Sequence, residues 1–156
     1  MRATLLALCA AALAAAQDPP PPPVLAGCGG AVAWSSLSVS PAQPKAGLPV
    51  VLNATGAASA AVGTGGTGNV TAYLWGMNVW SAPVAACGAN QTLDVDGFAT
   101  LTFNGLACPL AAGAPAALSV SLTVPAIAAG MGQIAVVVGA YEGSELDFCL
   151  NMTLNF

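Results

Sequence analysis

The chain contains no histidine and almost no positive charge. Its 156 residues include two basic and six acidic side chains, so only 5% of the total is charged. Without histidine there is no Ser-His-Asp or Cys-His nucleophile pair, and the commonest metal ligand and near-neutral proton switch are missing as well. Arg2 and Lys45 are the only cations. They cannot form a basic patch, which makes nucleic acid and anionic membrane surfaces poor partners. Long apolar runs are also scarce after residue 16. The segment 111–129 is apolar on average, but Pro115, Ser119, Ser121, Thr123 and Pro125 interrupt it, so it does not read as a membrane span. The apolar content of 56% argues against disorder. The length fits one domain. Composition describes an ordered, acidic, weakly charged domain and argues against an enzyme.

What is present first sets a compartment. Residues 1–16, MRATLLALCAAALAAA, place one arginine before an apolar run that ends in small residues. This is the pattern of a secretory signal peptide, with Ala14-Ala15-Ala16 as the cleavage region. Cleavage removes Arg2 and Cys9 and leaves a net charge of about −5. Four cysteines remain, Cys28, Cys87, Cys108 and Cys149. An even number in a secreted chain reads as a disulfide framework, whose pairing is open at this point. Four Asn-X-Thr sequons, at Asn53, Asn69, Asn90 and Asn151, agree with that route and are candidate glycosylation sites. Residues 17–27 contain five consecutive prolines, Pro19–Pro23, and read as a stiff spacer.

From Ala31 onward the hydrophobic period is two. Expected strands are Val32–Ser40, Pro49–Ala54, Asn69–Trp80, Phe98–Phe103, Ala117–Val124, Gln133–Ala140 and Phe148–Phe156. Turn-forming residues separate them, and about seven short strands without an amphipathic helix predict an all-β sandwich or barrel. A glycan on Asn151 must face water. That turns Leu146, Phe148, Leu150, Met152, Leu154 and Phe156 inward, and Asp147, Cys149, Asn151, Thr153 and Asn155 outward. The segment 69–80 is apolar on both faces past Tyr73, which implies either a bulge at Gly76 or cover on both sides.

Three motifs resemble chemistry without carrying it. Gly63-Thr-Gly65-Gly-Thr-Gly68 matches GxGxxG, but a strand-like segment follows it and no acid lies where a ribose would need one, so it reads as a loop. Asp94-Val-Asp96-Gly97 lacks the later ligands of a calcium loop and reads as the turn of a hairpin joining Thr92–Val95 to Phe98–Phe103. Glu142, Glu145 and Asp147 read as a solvated turn rather than a glycosidase pair. No catalytic, metal or cofactor site emerges. The interior is either a filled sandwich core or one that opens into a lipid cavity.

The cysteines and their neighbours resemble the ML lipid-recognition domain, the family of plant and fungal phosphatidylglycerol/phosphatidylinositol transfer proteins, Niemann–Pick type C lumenal sterol carriers and group 2 mite allergens. The resemblance runs from Cys28 to Phe156. It rests on Leu37-Ser-Val39-Ser-Pro41 with Lys45-Ala-Gly47, on Tyr73-Leu-Trp-Gly76-Met-Asn-Val79, on Cys87 and Cys108-Pro109-Leu110, on Leu122-Thr-Val124-Pro125, and on Leu146-Asp-Phe148-Cys149. It implies an immunoglobulin-like β-sandwich of two antiparallel sheets, stapled by Cys28–Cys149 and Cys87–Cys108. This chain departs from the family in lacking an early third bridge, in the long insertion between Cys87 and Cys108, and in carrying Ile134 where a tyrosine is usual.

The resemblance further implies a secreted or lumenal monomer that binds a sterol or phospholipid between the sheets and touches membranes transiently. Expected wall residues are Leu74, Phe103, Leu118, Val120, Leu122, Ile134, Val136, Val138, Phe148 and Leu150. Trp80, Pro109 and Leu110 are expected at the mouth. The competing reading is a non-enzymatic adhesion or wall glycoprotein module with a filled core.

Overall fold

Alternation of apolar and polar side chains decides most of the architecture, because each strand must bury one face. The computed structural model describes residues 20–156 apart from 89, 129 and 131. The expected signal peptide, with Cys9 and Asp18, lies outside the described residues. Ten strands are formed: β1 (Val24–Gly29), β2 (Val32–Ser40), β3 (Pro49–Ala58), β4 (Thr67–Leu74), β5 (Met77–Ala85), β6 (Gln91–Val95), β7 (Ala99–Asn104), β8 (Pro115–Thr123), β9 (Gln133–Glu142) and β10 (Glu145–Asn155). They pair antiparallel into two five-stranded sheets, β1-β10-β9-β4-β5 and β2-β3-β8-β7-β6. One apolar core lies between them. The fold is the disulfide-stapled all-β sandwich expected, with ten strands rather than about seven.

The additional strands have local causes. The stretch 69–80 is not one strand but the end of β4 and the start of β5. Trp75 and Gly76 both take positive φ, 51° and 77°, which is the backbone of a type I′ hairpin turn. Its doubly apolar character therefore belongs to two strands, not to a bulge at Gly76. The Asp94–Gly97 hairpin forms as expected, with Asp96 and Gly97 at φ 50° and 70°. β1 begins at Val24, inside the segment read as spacer, and pairs with β10.

The inward faces are largely those expected. Phe148, Leu150, Met152 and Leu154 of β10 are buried, as are Leu118, Val120 and Leu122 of β8. Phe148 is the hub between the sheets. Its ring stacks on Phe103 at 6.4 Å between centroids and meets Trp34 edge-on at 6.1 Å. Asp147 departs from expectation. The register of β10 against β9 shifts between Leu146 and Phe148, and this irregularity leaves Asp147 only 4% exposed rather than facing water.

The strands share two ends. The bridged end holds the starts of β2, β4, β8 and β10 and the finish of β3, β5 and β9. Cys28–Cys149 and Cys87–Cys108 both lie there, with Cα separations of 4.9 and 5.5 Å. These are the pairs implied by the resemblance. The opposite end holds the β4–β5 and β6–β7 turns.

Candidate functional site

An apolar pocket of about 180 Å³ opens between the sheets at the end opposite the bridges. Ala72, Tyr73 and Leu74 of β4, Val79 and Trp80 of β5, and Ile134 of β9 form one wall. Val95, Asp96, Phe98, Ala99 and Val124 form the other. The cause of the pocket is local. Ala72 and Ala99 face inward at this level; buried alanines also occur toward the bridges, but there Phe103 and Phe148 fill the space between the sheets. Small side chains at opposed positions leave volume that neighbours in rotamer minima do not reclaim.

The mouth follows from the sheet edges. β5 and β6 are the edge strands of opposite sheets. Near the bridges they are stitched together: the Gln91 side chain accepts from the backbone N–H of Ala85 at 2.7 Å and donates to its carbonyl at 2.9 Å. The Cys87–Cys108 bridge adds a covalent tie beside it. At the other extremity no such bond joins the two strands among the described residues, and Val79, Trp80, Val95 and Asp96 border the opening.

Asp96 is the one ionisable acid in the lining; apart from it and Tyr73, every lining side chain is aliphatic or aromatic. It sits on the β6–β7 turn, whose shape is held by the hydrogen bond from Gly97 N–H to Asp94 Oδ1 and by Phe98 N–H donating to Val95 O at 2.8 Å. Around this end several large apolar side chains stand in solvent: Leu48, Trp75, Met77, Val79 and Ile127, the last 85% exposed. Gly47, next to Leu48, donates to the carbonyl of Val124, which ties that loop to the pocket rim.

The bridged end holds three other acidic residues, Glu142, Glu145 and Asp147. Glu142 accepts a hydrogen bond from Gly63 N–H at 3.1 Å. Asp147 is buried, its Oδ2 has no hydrogen-bond partner, and Gly66 lies so close that a Cβ there would strike Oδ2 and the Ala86 methyl. Desolvation raises the Asp147 pKa above the ordinary 3.8, and the charges of Glu142 and Glu145 raise it further. The three carboxylates do not converge as a metal-ligating group among the described residues. Nor does the glycine-rich loop precede a helix; it leads into β4.

The residues expected from sequence divide sharply. Leu74, Trp80 and Ile134 line the pocket. Phe103, Leu118, Val120, Leu122, Val136, Val138, Phe148 and Leu150 are packed core that does not line it. Pro109 and Leu110, expected beside Trp80, lie at the bridged end instead, where Leu110 pairs with Val62. Ala72, Val79, Val95, Asp96, Phe98, Ala99 and Val124 were not anticipated. For the 95–99 group a signal existed: an apolar hairpin arm placed opposite the Tyr73–Val79 stretch. Asn53, Asn69 and Asn90 are exposed, whereas Asn151 is half-buried and its side-chain carbonyl has no partner.

The family model of the ML domain matches residues 25–156. A search of the curated proteins found no match. The family match spans well over half the chain and nearly all of the described fold. The chain belongs to the ML domain family, a lipid-binding family.

Proposed function

We propose that this ML domain protein is a secreted or lumenal lipid carrier, holding a sterol or the tail of a phospholipid between its sheets with the head at the β5–β6 mouth. The observation that carries the reading is the apolar pocket between the sheets, open where the two edge strands are not stitched. At about 180 Å³ it is smaller than the roughly 300–1,000 Å³ of pockets that enclose a drug-sized ligand. A whole lipid tail therefore requires the sheets to part at this end. The edge strands there allow it, because opening them breaks no bond between β5 and β6.

The energetics suffice. Burying about 500 Å² of apolar lipid surface gains roughly 12 kcal/mol at 25 cal/mol/Å². Loss of translational and rotational freedom, with the cost of opening, offsets half or more, leaving an affinity around the micromolar range. Transfer needs no covalent chemistry; the protein shields the tail during passage through water. The exposed Trp75, Met77, Val79 and Ile127 supply an apolar rim that favours brief membrane contact by the monomer without basic residues. Two disulfides suit an oxidising compartment. Glycans on exposed Asn53, Asn69 and Asn90 complete the proposal for a secreted chain.

The competing reading, an adhesion or wall module with a filled core, draws on the tight packing around Phe148. Native mass spectrometry of the deglycosylated protein, followed by organic extraction, separates the two. A stoichiometric lipid supports the carrier. A clean apo mass, with no uptake from mixed sterol and phospholipid vesicles, supports the filled module. In the carrier, Ala99→Phe fills the pocket and weakens uptake about tenfold or more, equivalent to 1.4 kcal/mol, while far-ultraviolet circular dichroism stays unchanged.

A further inference from the structure

We infer that the mouth selects its lipid by head-group charge: Asp96 at the rim excludes anionic heads and admits neutral, hydroxyl-bearing ones. The inference rests on the lipid-carrier reading and narrows its ligand class. A tail occupying the pocket leaves its head at the rim, where the lining offers one carboxylate and no cation. Asp94, exposed on the same turn, adds a second negative charge.

Among the described residues no cationic side chain lines the pocket to compensate an anion. Lys45 is the only basic side chain among the described residues; its β2–β3 loop meets the rim through Gly47 and Val124, but Lys45 is exposed and does not line the pocket. The turn has no helix N-terminus, and phosphate or carboxylate recognition ordinarily needs such a terminus or an arginine or lysine. Asp96 is exposed on its turn, so its repulsion of an anionic head at the rim acts through solvent and is strongest at low ionic strength. A hydroxyl behaves oppositely. It donates to a carboxylate in a charge-assisted hydrogen bond, about twice as strong as a neutral one. The shared chemistry is an uncharged alcohol on an apolar body, whether a sterol or an acyl-chain alcohol.

Two matched pairs test this at pH 8 and low ionic strength: oleyl alcohol against oleate, and cholesterol against cholesteryl sulfate. Each pair keeps the body and changes the head charge, and the two pairs distinguish acyl from sterol bodies. Binding is read by competition in native mass spectrometry. The neutral member should bind at least about tenfold more tightly in whichever pair is accepted. Asp96→Asn should reduce that ratio to within about threefold, and asparagine tolerates the positive φ of the turn. Asp96→Ser, a second neutral replacement, should do the same. Equal binding of neutral and anionic members by the unmodified protein overturns the inference, as does a ratio that both variants leave unchanged. Failure of all four lipids to bind overturns the carrier reading itself.

Discussion

The two ends of the sandwich are built from the same kinds of strand and differ in almost everything else. The bridged end holds both disulfides, the Trp34–Phe148–Phe103 aromatic cluster and a buried carboxylate against a glycine-rich loop. The open end holds an apolar pocket and large apolar side chains in solvent. Stability is concentrated where nothing needs to move. Spare volume and loose edges are concentrated where a ligand must pass. A domain of this size cannot loosen a whole core, since its net stability is only about 5–15 kcal/mol. Confining the looseness to one end, and cross-linking the other, lets a cavity open without unfolding the sheets.

The contrast can be broken by mutation. Phe148→Ala removes the hub of the bridged end and should cost about 3–5 kcal/mol in urea titration. Loss below about 1 kcal/mol would show that the aromatic cluster is not the anchor described. Replacing Cys87 and Cys108 together with serine removes a bridge with a sequence separation of 21 and should cost about 3 kcal/mol by the chain-entropy model. It should also loosen β5 from β6 along their length, so lipid exchange should accelerate in vesicle-transfer measurements.

Asp147 gives the bridged end a pH signature. Its folded pKa is raised, chiefly by burial and then by Glu142 and Glu145, so the folded state favours the protonated form. That contribution is fully present below the unfolded value near 3.8 and is lost as pH rises through the raised folded value. Melting temperature should therefore fall on this account as pH rises above about 4. Asp147→Asn should flatten the dependence; an unchanged slope would remove Asp147 as its source. The smallest effect on stability belongs to the open end. Ile127→Ser, at an 85% exposed position, should change unfolding free energy by less than about 0.5 kcal/mol while reducing partition onto neutral vesicles.

The sequence read the bridged end better than the open one, for physical reasons. Alternation in Leu118–Val124 and Phe148–Leu154 specifies which face is buried, because a one-residue slip would expose the whole set. It says nothing about how tightly opposed faces fill the space. Phe103, Phe148 and Val120 were therefore expected as cavity walls and stand in the packed core outside the pocket. Ala72 and Ala99 looked unremarkable because a cavity is a deficit of volume, which no single strand displays. The Trp75-Gly76 turn was missed because tryptophan is an unusual residue for positive φ. Asp147 was misplaced because the irregularity at Leu146/Phe148 breaks the period of two without altering composition. Leu74, expected in the wall, and Trp80, expected at the mouth, line the pocket, whereas Pro109 and Leu110, expected beside Trp80, lie beyond the long Cys87–Cys108 insertion at the other end.

The tryptophans permit the most direct test of the central claim, that lipid occupies the open end. Trp80 lines the pocket, and Trp34 packs on Phe148 at the far side of the core. Two variants isolate them: Trp34→Phe with Trp75→Phe, and Trp75→Phe with Trp80→Phe. Each is titrated with a lipid carrying bromine on its acyl chain, and fluorescence quenching is recorded. Strong quenching of Trp80 with little change in Trp34 is the result expected. Quenching of Trp34 equal to or greater than that of Trp80 would place the lipid among the residues described here as filled core, and would contradict the account.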